Sequence, residues 1–299
     1  MRKTLVSIVM ILLLSVCSLA TTVYPLTIVD DLGRMVSIDT EPQRVVIAAP
    51  AITNFLIKLG ISDRIVGVTD FDPFQGAEKI GQMVPLNVEK ILSLNPDVVL
   101  LAGGFQEPEV YKLEKLGIKA VVINPVGIDD IFKDTMIIAS IFNVRDRGNE
   151  LVKKYRDIYL SIAKKAYKIP LDERPRVFYG MPNQNMSEIW TCGSGSYMNE
   201  IINLVGGVNV AAGYTGNNGW FPVGPEFVLK ANPDIIVVPY WYAGGEKAAV
   251  DQILNYEPWK NVEAVKARRV YAVDGNLASQ PNLKLFDLMK ELYRLFYEE

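Results

Sequence analysis

The feature that most constrains the fold is that the chain matches itself. Pro225-Glu226-Phe227-Val228-Leu229-Lys230-Ala231-Asn232-Pro233-Asp234 aligns with Val88-Glu89-Lys90-Ile91-Leu92-Ser93-Leu94-Asn95-Pro96-Asp97, and five of the ten positions are identical. The elements around these segments recur in the same order. In the first half, strands expected at 44–47, 65–68, 98–101 and 120–123 alternate with helices at 53–59, 88–94 and 111–116, and Gly60 and Gly117 close two of the helices. In the second half, a strand at 176–179, a helix at 197–205 and a strand at 269–273 follow the same plan. The offset grows along the chain (44 to 176, 88 to 225, 120 to 269), which places insertions in second-half loops. Short β-branched runs alternating with helical patterns imply an α/β fold with mostly parallel sheets flanked by helices. A repeat at this scale means two related lobes; a solenoid has a much shorter period.

A different kind of segment lies between the halves. Ile131, Phe132, Thr135, Ile138, Ala139 and Phe142 form one helical stripe. After Asn143, read as an N-cap, Leu151, Tyr155, Ile158, Ile162 and Ala166 form a second. The second stripe predicts a helix over 144–168, about 36 Å long at 1.5 Å per residue. Ile169-Pro170 ends it, and Arg174-Pro175 leads into the second lobe. The expected organisation is a signal peptide at 1–20, an N-terminal lobe at 21–143, a connecting helix at 144–170 and a C-terminal lobe at 171–299. The other reading of 144–168 is an ordinary surface helix of a single domain.

Composition narrows the chemistry. None of the 299 residues is histidine, which excludes Ser-His-Asp and Cys-His catalysis, His-ligated zinc and a histidine general base. Arg2 and Lys3 precede an apolar run through Val16, and Ser18-Leu19-Ala20 is a small-x-small cleavage signal, so the chain is expected to be exported and cut after Ala20. Leu14-Ser15-Val16-Cys17 is the rival, a lipidation signal at Cys17. Val16 is bulky where that signal takes a small residue, so simple cleavage is favoured. No later segment is apolar for long enough to span a bilayer. Removing Arg2 and Lys3 takes the formal charge from −3 to −5, which speaks against a nucleic-acid surface. Cys192 is then the sole cysteine, so no internal disulfide can form, and it reads as a small packing residue.

Val29-Asp30-Asp31-Leu32-Gly33-Arg34, followed by Glu41-Pro42-Gln43-Arg44-Val45-Val46, resembles the opening of the substrate-binding proteins of ABC importers in the iron-siderophore, haem and cobalamin group. The segments Asn87 to Val99 and Gly206-Gly207-Val208-Asn209 extend the resemblance, which covers residues 26–299. It implies two lobes joined by one backbone helix, a ligand held in the cleft between them, modest closure, a monomer, and no catalysis or cofactor of the protein's own. The function it implies is capture of an iron(III)-siderophore or similar chelate, with a corrinoid (cobalamin) or haem as the alternative. It also implies that Glu89 and Glu226, matched in the repeat, dock the two lobes onto the permease dimer. Helix-dipole complementarity is the plainer account of either glutamate.

Ligands of open α/β sheets collect beyond the carboxyl ends of the strands. That points to the strand-to-helix loops and their aromatic and amide side chains. The candidates are Phe71 and Phe105 in the first lobe, with Asn183, Tyr240, Trp241, Tyr242 and Asn276 in the second. Trp190 and Trp220 belong to the second-lobe insertions. Flat aromatic faces suit large organic ligands or chelates, although packing beneath neighbouring loops would also explain several of them. These loops carry no Lys or Arg, which favours a neutral or weakly charged ligand, such as a hydroxamate-type chelate or a corrinoid, over a highly anionic catecholate. A bare ferric ion is disfavoured, since no tight acidic cluster is visible. Thr191-Cys192-Gly193-Ser194-Gly195-Ser196 lacks the ending of a phosphate loop and reads as a helix entrance with Ser196 as N-cap. The alternative from a different class is an exported carboxylate-dependent α/β enzyme, for which only Asp70, Asp72 and Asp274 are suitably placed.

Overall fold

The computed structural model describes residues 23–298. The expected signal peptide, its cleavage point and Cys17 lie outside these residues. Among the described residues no helix is long and apolar enough to cross a membrane.

An antiparallel hairpin of β1 (Leu26–Val29) and β2 (Met35–Ile38) precedes the first sheet. That sheet contains β3 (Val45–Ile47), β4 (Ile65–Val68), β5 (Glu78–Lys79), β6 (Val98–Leu101) and β7 (Ala120–Val122), all parallel, in the order β5-β4-β3-β6-β7. Its inner strands β3 and β6 are buried at every position, which is why they read as unbroken apolar runs. The second sheet contains β8 (Arg176–Pro182), β9 (Ile189–Cys192), β10 (Val208–Asn209), β11 (Trp220–Val223), β12 (Ile235–Tyr240) and β13 (Val270–Asp274). Its order is β11-β9-β8-β12-β13, with β10 also paired to β8.

The lobes match on one side and diverge on the other. In both, the first strand lies beside the one that follows the repeated Asn-Pro-Asp, and all these pairings are parallel. On the other side, β8 turns back through the antiparallel β9 and β11, where the first lobe has parallel β4 and β5. Trp190 and Trp220, expected in loops, are therefore strand residues.

The repeated motif is a clasp built twice. Asn95 and Asn232 adopt left-handed conformations (φ 44° and 42°) just past the ends of helices Val88–Ser93 and Pro225–Ala231. An arginine at the start of each first strand donates to the freed helix carbonyls: Arg44 to Leu94 and Asn95, Arg176 to Ala231 and Asn232. Asp97 accepts from the Gln43 and Arg44 N–H groups, and Asp234 accepts from the Arg176 N–H. The proline between Asn and Asp prevents the helix from continuing. The strongest internal identity thus marks a structural device that fastens each crossover helix to its sheet.

Helix Arg145–Tyr167 runs between the sheets. Asn143 is not its N-cap. It takes a left-handed conformation (φ 56°) at the end of helix Ile128–Ile141, and its amide donates to Glu41. Asparagine suits either position, because its short amide can cap a helix or relieve positive φ. Tyr155 of the long helix and Phe132 of the preceding helix both meet Phe286 of the C-terminal helix Leu285–Tyr297, each with ring centroids 5.2 Å apart. One apolar cluster runs from Val45 and Ile47 through Tyr155 to Val177 and Val237, joining one face of each sheet through the helices between them. The other face of each sheet has an apolar cluster of its own, around Val99 and Val110 in the first lobe and Ile236 and Trp259 in the second.

Candidate ligand-binding cleft

The cleft is built where the parallel strands end. Two adjoining cavities of about 460 Å³ and 310 Å³ share Phe105, Asn124, Pro125, Ser279 and Pro281. The first lobe contributes the segments after β3 (49–52), β6 (Ala102 and Phe105) and β7 (123–126). The second lobe contributes Met181, Trp190, Tyr197, Asn217, Asn218 and Trp220. No side chain lining either cavity carries a formal charge.

The antiparallel hairpin makes the aromatic wall. Register pairs Met181 with Trp190, and Trp190 with Pro222, while Trp220 pairs with Cys192. Side chains two apart share a face, so Met181, Trp190 and Trp220 all point the same way. Trp220 is held edge-on by Tyr179 (5.9 Å, 75°) and packs on Tyr197 (5.7 Å). The Tyr197 hydroxyl donates to the Ala278 carbonyl at 3.0 Å, tying this wall to the short helix Gly275–Ala278, just before Ser279 and Pro281 of the lining. Burial pushes the Tyr179 and Tyr197 hydroxyls up and keeps both protonated. Cys192 lies behind them, its thiol pushed up by burial to about 12, and it remains an inert packing residue. Ser196 caps helix Tyr197–Leu204 by accepting from the Asn199 N–H.

The first-lobe wall hangs on Gln106. Its side-chain amide donates to the Ala48 and Met83 carbonyls (3.0 and 2.9 Å) and accepts from the Ala102 N–H (2.8 Å). With no exposed surface, Gln106 pins three loops and leaves its neighbour Phe105 61% exposed in the cleft. Behind Asn124 lies an acidic cluster. Asp31 accepts from the Asn124 N–H and pairs with Lys133 at 2.7 Å. Asp134 is fully buried, and neither of its oxygens has a hydrogen-bond partner among the described residues. Burial and then the Asp31 charge raise Asp134 to about 9 against the opposing pull of Lys133, so it stays a neutral acid at physiological pH.

Asp134 holds its proton in the folded state and releases it near the ordinary carboxylate value, about 4, when unfolded. The stability it lends is therefore full below about 4 and lost as pH rises toward 9. Asp134→Asn, which keeps a neutral side chain, is expected to raise Tm more at pH 8 than at pH 4, as thermal melts at both pH values would read.

Phe105, Trp190 and Trp220 come together in the larger cavity. Tyr240, Trp241 and Tyr242 line a neighbouring cavity of about 350 Å³ confined to the second lobe, which touches the first through Met181. Phe71, Asn183 and Asn276 line none of these cavities. Phe71 is 60% exposed. The Asn183 amide is engaged with Ser187 in a tight turn, and Asn276 sits in a short helix capped by Asp274. Of the three acids considered for an enzyme, Asp72 is buried and held by Thr53 and the Phe74 N–H, and Asp274 serves as that helix cap. Among the described residues no group of three or more acids or cysteines is placed to hold a metal ion.

Tyr197 and Asn124 were missed. Asn124 follows the last strand of the first sheet, so the rule applied to the other strand ends would have found it. Tyr197 sits inside a helix, where its aromatic ring reads as core. Glu89 and Glu226 are exposed in the first turns of their helices. Each of these helices leads into the strand that follows the repeated Asn-Pro-Asp, so the two glutamates hold matched places in their lobes.

Known proteins share this architecture. An uncharacterized ABC transporter substrate-binding lipoprotein of Bacillus subtilis is 31% identical over 287 residues, covering 93% of this chain and 88% of its own length. The cobalamin-binding protein of Halobacterium salinarum is 24% identical over 92% of this chain and 74% of its own. The crystal structure of an ABC-type Fe3+-hydroxamate transport system from Saccharomonospora viridis superposes with a TM-score of 0.74 at 22% identity, covering 92% of this chain and 99% of that one, and so shares the fold. The family model described as periplasmic binding protein matches residues 45–277, which take in both sheets and the helix between them, and the chain belongs to that family.

Proposed function

We propose that this protein is the extracytoplasmic solute-binding component of an ABC importer and that it captures an iron(III) chelate of the hydroxamate kind between its lobes. The observation that carries this reading is the cleft lining: aromatic and amide groups from both lobes, with no formal charge in either central cavity. Such a surface suits a large, flat-sided, weakly charged ligand and offers nothing to offset the desolvation of a trianionic one. The same lining admits a corrinoid, and the cobalamin-binding relative from Halobacterium supports that second reading. Catalysis has little support, because Asp72 and Asp274 are occupied structurally and Cys192 is buried as a thiol.

Delivery requires a partner. The reading assigns Glu89 and Glu226 to docking, one from each lobe, against cations on a permease dimer. Two charged anchors at matched places would fix the orientation of the carrier.

The ligand class is tested by following tryptophan fluorescence while a linear ferric trihydroxamate, cobalamin, haem and a ferric triscatecholate are titrated into the mature protein. Saturable quenching by the trihydroxamate or cobalamin, with the triscatecholate at least tenfold weaker, is expected. Tight triscatecholate binding, or no saturable binding by any of the four, would overturn the assignment.

A further inference from the structure

Asn124 differs from the other amides of the cleft because its orientation is forced. Its Oδ1 accepts from the Gly103 N–H at 3.2 Å. An N–H can pair only with the oxygen of the amide, so the Nδ2 group must point the other way. That group has no partner among the described residues and is not a buried unsatisfied atom, while Asn124 lines both central cavities. The side chain lies flat on Gly103: a Cβ there would come within 2.9 Å of the Asn124 Cγ and 3.0 Å of its Nδ2. The backbone of Asn124 is held separately, its N–H donating to Asp31, which Lys133 in turn holds. On the opposite wall, the side chains of Asn217 and Asn218 make no hydrogen bond among the described residues and can turn either way.

We infer that the cleft selects cargo bearing an uncharged acceptor oxygen, a hydroxamate or carboxamide carbonyl, and reads it through a pre-set N–H donor on Asn124. This inference deepens the proposed function and rests on it. The donor is oriented before the ligand arrives, so no side-chain ordering has to accompany binding at this point. A carboxylate in the same place would turn the donor into a repelling acceptor while keeping the Gly103 contact.

The test uses the mature protein and a linear ferric trihydroxamate, with cobalamin, whose rim carries carboxamides, as a second probe. Asn124→Asp is expected to weaken the bound probe about ten- to hundredfold, the effect of a lost hydrogen bond with two acceptor oxygens left facing each other. Its affinity should recover as pH falls toward about 4, where a protonated carboxyl donates again. The wild type should show no such recovery over that range. The groups facing the new carboxyl are Asp31, with Lys133, Asp130 and Asp134 behind it, and they are common to both proteins. Gly103→Ala, which displaces the amide without changing its chemistry, should also weaken binding, but with no pH recovery. Unchanged affinity in Asn124→Asp, or a loss that pH does not reverse, would overturn the role of Asn124 while leaving the carrier reading intact. If neither probe binds the wild type, it is the proposed ligand class that fails.

Discussion

Reversing both docking charges, Glu89→Lys with Glu226→Lys, is expected to abolish uptake while leaving ligand affinity unchanged. Both carboxylates are exposed and line none of the cavities, so the cleft has no reason to respond. Each sits in a helix first turn, where exchanging anion for cation costs about 0.3–1 kcal/mol, a loss the fold can absorb. If the two glutamates dock as proposed, the effect on docking is far larger, because two attractive contacts would become two repulsive ones across both lobes at once. Uptake of labelled ligand by cells producing the double variant, beside ligand titration of the purified protein, separates the two outcomes. Transport at the wild-type rate would end the assignment. Loss of both transport and ligand affinity would point to misfolding instead.

Removing an aromatic from each wall, Phe105→Ala with Trp190→Ala, is expected to weaken ligand binding by roughly a hundredfold or more. The two side chains are 61% and 42% exposed in the unliganded protein, so their loss leaves little new cavity and should hardly change Tm. On binding, each would cover apolar surface worth roughly 1.5–3 kcal/mol, so losing both, even with incomplete additivity around one ligand, reaches the hundredfold expected. Trp220→Ala makes the contrast. Its ring packs on Tyr179 and Tyr197, so that variant should lose affinity and stability together. Fluorescence titration through the remaining tryptophans and a thermal melt read the two quantities separately. Undiminished affinity in the Phe105/Trp190 variant would place the ligand elsewhere, with the cavity around Tyr240 and Trp241 the next to test.

The two-lobed α/β plan was legible because its signals are local and occur twice. The Asn-Pro-Asp segments carry the turn, the stop and the strand-capping acid within three residues, and the arginine each clasp needs stands at the start of a strand of its own. The antiparallel hairpin was not legible. Ile189–Cys192 is a four-residue run flanked by polar and glycine-rich sequence, and Trp220–Val223 contains a proline that demotes it as a strand. Their partners are chosen by tertiary pairing, which no short window contains. Phe105 was chosen by strand-end placement and Trp190 and Trp220 as aromatics of the second-lobe insertions, and the fold brings all three to one cavity. Asn183 and Asn276 illustrate the limit of that rule. The same amide that could greet a ligand can close a turn, and only the neighbours decide.

The shared core also bears on what counts as a unit in this protein. A fragment ending at the long helix would bring Phe132 and Tyr155 into water, since the ring that covers both is Phe286, near the other end of the chain. The apolar face that each half turns toward the long helix is covered in part by the other, so the two should melt in one transition and resist exchange with halves of relatives. The chain carries one plan twice, yet its central core belongs to both copies together.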